Sequence, residues 1–266
     1  MTTMTFPLRP KIFVAISIGV ALTLSGCFSM PSIPSAVAQN QAQQQPAQQQ
    51  SQPTQQSQQP SPNAAVAYQY QFNAFYGAMW NFGWFGYQDA NYQPGQGTVW
   101  QITSSRSSGG PTTFERAFLK VNADTTQWWR LEVTGSDAKG QLVYEFLVGT
   151  DMKVQKVRYK DPGSGQIGEF VPDQSGQQGG PSQPTRQQLA NYLVGTESVQ
   201  VKAGTFTADH YSYVDPQGGY KGDSWISKTV PVSMVKFTGT NPKNNVTSSG
   251  ELVQIESGVT TILGSY

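Results

Sequence analysis

The sequence predicts a mainly β protein, built as a single antiparallel sheet that is strongly curved or forms a half-open barrel, with one or two short helices. Two observations support this prediction. In short segments between residues 97 and 262, apolar side chains recur at every second position, which is the period of a half-buried strand. Short runs rich in Gly, Asp, Ser and Pro separate these segments and are typical of hairpin turns.

The first 26 residues are typical of a lipoprotein signal peptide. Basic residues precede an uncharged apolar stretch over 12–24, which is too short for a transmembrane helix of about 20 residues. It ends in Leu24-Ser25-Gly26-Cys27, with the only cysteine of the chain. This pattern predicts cleavage before Cys27 and acylation of its thiol, and stable attachment to a membrane then needs two or three acyl chains. Cleavage after Ala38 is the alternative.

Residues 27–65 are predicted to be a lipidated cysteine followed by a disordered tether. Between residues 40 and 59, twelve of twenty residues are glutamine, and such a segment cannot bury enough apolar surface to offset its ordering entropy. As a coil of about 38 residues, the tether has a reach on the order of 35 Å. Phe28, in place of an aspartate after the cysteine, favours the outer membrane of the cell envelope, with the side of that membrane left open.

The β-rich domain is predicted over 66–266, and it begins with an aromatic segment. Between Tyr68 and Tyr92 there are eleven aromatic residues. Their spacing over 66–80 favours a helix, although 68–72 also fits a strand. Large aromatic side chains usually anchor a core, so this segment is expected to cap the sheet. The alternative is that some of these rings line an apolar pocket or enter a membrane interface.

The strands follow from the period-two pattern. Residues 136–140 and 160–165 have the composition of hairpin turns, and a change of phase between Met152 and Tyr159 indicates a bulge. Strands are expected over 97–103, 113–121, 129–133, 142–148, 152–159, 167–171, 198–201, 205–214, 220–226, 234–240 and 250–262.

A second helix is predicted over 185–193. Thr185 is a plausible N-cap, Leu189 and Leu193 would share one helical face, and Gly195 would end the helix. This helix would cover one side of the sheet.

Two stretches resemble secreted bacterial β-domains. They are 92–100, and 199–211 together with Trp225-Ile226-Ser227 and Val230-Pro231-Val232. These stretches are similar to families described as relatives of the LolA and LolB lipoprotein carriers. The resemblance implies a half-open antiparallel barrel that wraps a helical lid around an apolar cavity, and it suggests carriage of an acyl chain. The glutamine tether and the aromatic segment depart from LolA and LolB.

The candidate binding residues are aromatic side chains of this expected concave face, with leucines of the covering helix. They are Trp80, Trp84, Phe85 and Trp100, then Trp128 and Trp225, and finally Leu189 and Leu193.

Little in the sequence supports catalysis. The one histidine, His210, lies in a strand-like run, where Asp209 would point to the opposite face and could not readily orient the ring. A zinc site would lack a second histidine and a cysteine. The carboxylates in strands, namely Glu115, Glu132, Glu145 and Glu169, are interpreted as residues of the solvent face.

The charge balance excludes nucleic acid as a predicted partner. After removal of the signal peptide, 15 basic and 16 acidic residues remain, with no basic block. The sequence therefore predicts a lipid-anchored, non-enzymatic envelope lipoprotein without cofactor or metal. It would bind an apolar ligand (a lipid or acyl chain) or a partner protein. A structural or assembly lipoprotein that docks on an envelope complex is the alternative.

Overall fold

The computed structural model describes residues 62–81, 91–107, 109–135, 140–151, 153–172, 190–214, 219 and 221–266. The predicted signal peptide, Cys27 and the tether up to residue 61 lie outside the described residues, as do Trp84, Phe85 and Leu189. The described strands form one antiparallel sheet of 11 strands that is not closed. The predicted fold class is thereby confirmed.

A helix comes first, followed by the strands. They are α1 (Pro62–Asn81), β1 (Gln96–Ser104), β2 (Thr112–Val121), β3 (Gln127–Thr134), β4 (Gln141–Val148), β5 (Val154–Lys160), β6 (Ile167–Phe170), β7 (Leu193–Val201), β8 (Gly204–Val214), β9 (Lys221–Ile226), β10 (Met234–Asn241) and β11 (Val246–Glu256).

The sheet consists of two meanders joined at its centre. The strand order is β6-β5-β4-β3-β2-β1-β11-β10-β9-β8-β7, so β1 and β11 pair in the middle and β6 and β7 form the edges. The turn between β7 and β8 reaches back to the centre, because the Ala203 amide donates to the Leu252 carbonyl at 3.1 Å. The half of the sheet formed by β7 to β11 therefore curves back towards the central strands.

The predicted bulge is present in β5. Leu147 of β4 pairs with Lys156, whereas its neighbour Val148 pairs with Val154, so Gln155 is the extra residue. This insertion puts Val154 and Val157 on one side, and both are fully buried.

The helix predicted over 66–80 is confirmed. Tyr68, Phe72 and Phe75 are buried, and their rings lie on the side of the sheet that carries Tyr144 and Phe146. We call this side the helix face. Within the described residues, no helix is long and apolar enough to cross a membrane.

The opposite side of the first meander, which we call the strap face, carries alternate residues such as Glu115, Arg130 and Glu145. The last ten residues, 257–266, lie across it, and we call them the strap. The strand predicted over 250–262 is therefore too long. β11 ends at Glu256, and Gly258 then takes a left-handed backbone with φ of 71°.

The prediction of a helix over 185–193 is wrong at its end. Ala190 is helical, but 191–192 form a turn and Leu193 begins β7. Gly195 pairs with His210 in the sheet and does not end a helix. Edge pairing with β8 overrides the local helical preference here. Residues 185–189 lie outside the described residues.

Replacing Gly168 with alanine is expected to lower the free energy of unfolding by about 1–3 kcal/mol through overpacking. Gly168 pairs with Tyr159, and a Cβ at Gly168 would lie 2.3 Å from Tyr159 Cζ. The tyrosine ring cannot move away readily, because it is buried and stacks on Tyr68 at 4.3 Å between ring centroids. Urea unfolding measures the change. Gly195→Ala is the control, since nothing lies within 4 Å of its added Cβ, and equal losses in both variants would contradict the prediction.

Candidate functional site

Among the described residues, a large apolar contact lies between α1 and the helix face. Phe72 is fully buried, and its ring centroid lies 5.4 Å from Phe146, 5.5 Å from Tyr144 and 5.9 Å from Phe170. Phe75 packs edge-on against Phe114 at 6.0 Å. These separations and tilts are typical of favourable aromatic pairs. The helix therefore fills this part of the sheet with its own rings.

Few polar contacts accompany these rings. The Tyr144 hydroxyl donates to Gln71 Oε1 at 3.3 Å. Burial, together with the hydrogen bond to Asp161, raises the pKa of Tyr68, so its hydroxyl stays neutral. Burial also opposes ionisation of Asp161, but hydrogen bonds from the Ser164 amide and the Tyr68 hydroxyl lower the pKa of Asp161 below its usual value. The hydrogen bond between Tyr68 and Asp161 is thus a polar contact at the edge of an otherwise apolar interface.

The structure brings the predicted binding residues together only in part: Trp225 packs against the main core, which contains Trp100. Trp100 is 4% exposed and belongs to the main core, whereas Trp128 packs with Ala117 and Leu119 in a separate cluster. Trp225 lies on β9 in the other meander. Leu193 is 46% exposed on the edge strand β7 rather than on a covering helix. Trp80 belongs to α1, but its side chain lies outside the described residues, as do Trp84, Phe85 and Leu189.

A buried glutamate holds the strap. Glu145 has no exposed surface, and its carboxylate accepts backbone N–H groups from Ile262 at 2.7 Å and Leu263 at 3.3 Å. It also accepts the hydroxyls of Thr261 and Ser265, each at 2.5 Å. A buried carboxylate must be hydrogen-bonded or paired to be tolerated. Four donors from one segment of five residues meet that need.

Charges of alternating sign flank Glu145 on the strap face. Arg130, Glu145, Arg158 and Glu169 pair directly across β3, β4, β5 and β6. The two arginines also bind the strap, because Arg130 donates to the Thr260 carbonyl at 2.9 Å and Arg158 donates to the Gly264 carbonyl. The interpretation of Glu145 as a solvent-face residue is therefore wrong, and so is that of Glu115, which is 9% exposed. Both lie under or beside the strap.

An open cleft lies between the end of β11 and the strap. Its volume is about 470 Å³, and its lining includes Arg130, Ile255, Glu256, Val259 and Ile262. Arg130, which lines the cleft, forms an ion pair with Glu115.

Two glutamates close to Arg130 have raised pKa values. Burial raises the pKa of Glu115, although the hydrogen bond from Arg130 opposes this rise. Burial and the neighbouring Glu132 likewise raise the pKa of Glu256, against the opposing charge of Arg130. Oε2 of Glu256 is buried and has no hydrogen-bond partner among the described residues.

The variant Glu256→Gln is expected to be more stable than the wild type at pH 7 but not at pH 4. The pKa of Glu256 is higher in the folded protein than its usual value, so ionisation costs stability as the pH rises from about 4.3 through the folded pKa. Below that range both states are protonated and the cost vanishes. The side chain is partly exposed, so the gain should stay below about 1 kcal/mol. Urea unfolding at both pH values measures it, and a gain that does not depend on pH would contradict the ionisation argument.

His210 lies in a cluster that joins four strands of the second meander. Its Nε2 is 3.1 Å from Asp223 and its Nδ1 is 3.4 Å from Glu197. The ring stacks on Trp225 at 4.6 Å, and Lys236 Nζ lies 5.1 Å from the Trp225 ring centroid.

Asp209, the neighbour of His210 in the chain, lies on the opposite face of the sheet and accepts a hydrogen bond from the hydroxyl of Thr196. The prediction that Asp209 does not orient the ring is confirmed.

This cluster is poorly suited to general base catalysis. Both ring nitrogens of His210 face carboxylates, whereas a general base needs one nitrogen directed at the proton it removes. In the part of the chain that the structure describes, no group of three or more His, Cys, Asp or Glu residues could hold a metal ion. Sequence reasoning missed Asp223 and Glu197 because strand pairing, and not chain proximity, brings them to His210.

These features define an open antiparallel β-sheet protein, with an aromatic helix on one side and a clasped C-terminal strap on the other. No protein-family model and no curated protein matches the chain. Among solved structures, the chain is similar to the MucA/MucB complex of Pseudomonas aeruginosa (16% identity, 71% of this chain and 61% of that chain, TM-score 0.43). It is also similar to a DUF1329 family protein of Desulfovibrio piger (9%, 65% and 90%, 0.32) and to a LolA superfamily protein of Nitrosomonas europaea (11%, 65% and 91%, 0.26).

The chain spans 61% of the length of the MucA/MucB chain that it matches. All three identities are below 25% and all three TM-scores are below 0.5.

Proposed function

We propose that the protein is a lipid-anchored, non-enzymatic binding domain of the bacterial cell envelope. It would bind an apolar ligand, such as the acyl chain of a lipid, on the helix face in place of part of α1. The observation that supports this function is the chemistry of the contact between α1 and the sheet, which consists mainly of aromatic rings on aromatic and aliphatic side chains.

An acyl chain can replace such rings at moderate cost. Hydrophobic and dispersion contacts have little directionality, so a chain of methylene groups fills the same space without matched hydrogen-bond partners. α1 carries no charged residue, and few polar contacts fasten it to the sheet. The helix would then act as an occupant of the helix face that an apolar ligand displaces.

A fatty acid that carries bromine atoms on its chain tests this site. Bromine quenches tryptophan fluorescence at contact, and Trp129 lies on the helix face, where it stacks on Phe118 at 4.6 Å. We expect saturable quenching that falls in Trp129→Phe. Trp128→Phe is the matched control, because Trp128 is the next residue and belongs to the separate cluster with Leu119. Equal loss of quenching in both variants, or no saturable quenching at all, would contradict a site on the helix face.

The anchor needs its own test. Radiolabelled palmitate fed to cells is expected to label the wild-type chain but not Cys27→Ser. Labelling of neither chain, together with an N-terminus after Ala38, would refute the anchor and leave the acyl-chain site untouched.

The second candidate function is docking on an envelope complex without a small ligand. The filling of the helix face favours it, because Phe72, Phe75 and Trp100 are all buried in the structure. Crosslinking in cells distinguishes the two candidates. One stoichiometric protein partner, with no lipid copurified and no fatty-acid quenching, is expected only for the docking function.

A further inference from the structure

The outer side of α1 has no charge, and its described part exposes two large apolar side chains. Val66 and Tyr70 are 52% and 73% exposed, and their spacing of four residues places them on the same side of the helix. The 20 residues of α1 contain no Asp, Glu, Lys or Arg. The exposed side of a helix in a soluble protein is normally charged or polar, so this uncharged side stands apart. We call Val66 and Tyr70, with the exposed Asn73 and Ala74 beside them, the outer face.

The position of the outer face along the chain indicates what it meets. α1 begins at Pro62, within the end of the predicted tether, 27–65, whose other end is the acylated Cys27. A tether with a reach on the order of 35 Å keeps α1 close to the bilayer. Tethering by a linker of this kind gives an effective concentration in the millimolar range, so a small apolar surface is enough to bind.

We propose that the outer face of α1 docks on the bilayer interface to which Cys27 tethers the chain. Tyrosine suits the headgroup level, since its ring is apolar and its hydroxyl is polar, and Val66 would face the boundary with the acyl chains. Because the outer face has no cation, docking should not depend on anionic lipid, in contrast to basic membrane-binding helices. This inference rests on the proposed lipid anchor, and it names the surface that the domain presents to the membrane.

A single fluorescent label tests the docking. The chain has one cysteine, and if Cys27 is acylated, Asn73→Cys on the outer face provides the only free thiol. The lipidated full chain, labelled at position 73 with the environment-sensitive dye NBD, is reconstituted into phosphatidylcholine vesicles that contain a spin-labelled quencher lipid. We expect a blue-shifted emission and strong quenching by this lipid. Lys243→Cys, exposed in the turn between β10 and β11, is the matched control and should show neither.

Two further measurements make the outcome decisive. In the chain labelled at position 73, the added pair Val66→Ser and Tyr70→Ser should reduce the quenched fraction by roughly tenfold, since it removes both large apolar side chains of the outer face. Vesicles in which about 30 mol% of the lipid is phosphatidylglycerol should give the same quenching as phosphatidylcholine alone. Equal spectra at positions 73 and 243, no effect of the serine pair, or binding that requires anionic lipid would each overturn the docking.

Failure of the anchor is recognised separately. The wild-type chain purified from membranes should not react with a maleimide dye, because its only thiol is in a thioether bond. Reaction at Cys27 would refute the anchor on which the proposal rests. No reaction at Cys27 combined with equal spectra at positions 73 and 243 would refute the docking alone.

Discussion

Replacing Glu145 with alanine is expected to lower the free energy of unfolding by about 3–5 kcal/mol, the usual cost of removing one partner from a buried charge network. The variant leaves the amides of Ile262 and Leu263 without their acceptor. It also removes the carboxylate that lies between Arg130 and Arg158, which are opposite Glu145 in the register of the two neighbouring strands. Each buried donor that loses its partner costs about 1–3 kcal/mol.

Urea unfolding, followed by tryptophan fluorescence, measures the loss from the shift in midpoint. Carboxypeptidase digestion adds a local readout, since a strap released from Glu145 should be trimmed faster. Glu169→Ala is the matched control. Glu169 belongs to the same row of charges, but its side chain is 47% exposed and its ion pair with Lys156 is at the surface, so its loss should cost below about 1 kcal/mol. Equal effects of the two variants would show that Glu145 does not hold the strap.

The strap marks the limit of what the sequence could predict. Period-two alternation placed the central strands correctly, because each strand reports its own burial pattern locally. The burial of Glu145 is set by Thr261 and Ser265, which lie 116 and 120 residues further along the chain. A local sequence pattern could not show that residues so far along the chain bury Glu145. The recurrence of opposite charges at Arg130, Glu145 and Arg158 on successive strands was the one available signal.

In the candidate site, too, the sequence predicted the local structure but not the long-range arrangement. The spacing of Tyr68, Phe72 and Phe75 predicted a helix with one aromatic side, and that side is buried as expected. Trp128 lies apart from Trp100, because the strand period places Trp128 on the face opposite to its neighbour Trp129. Residue type alone does not say which face of a sheet a ring occupies, and the pairing of strands decides it.

Replacing Phe72 with alanine is expected to cost about 3–5 kcal/mol of the free energy that holds α1 on the sheet. Phe72 is fully buried, and its ring contacts Tyr76, Tyr144, Phe146 and Phe170. Limited proteolysis within α1 should therefore become faster, while tryptophan fluorescence of the sheet changes little. Tyr70→Ala is the control on the same helix, since Tyr70 is 73% exposed, and it should change stability by less than about 0.5 kcal/mol.

The same variant discriminates between modes of ligand binding. If an acyl chain takes the place of α1 on the helix face, the ligand must displace the helix to bind. Phe72→Ala weakens the contact between the helix and the sheet, so less free energy opposes ligand binding. A loss of about 3 kcal/mol in this competition, the lower end of the cost expected above, corresponds to a gain in affinity of roughly 150-fold. A ligand held by contacts with α1 itself would instead bind more weakly to the variant. Fatty-acid titration of wild type, Phe72→Ala and Tyr70→Ala measures the difference, and an unchanged affinity in Phe72→Ala would place the ligand away from this helix and refute the proposed site.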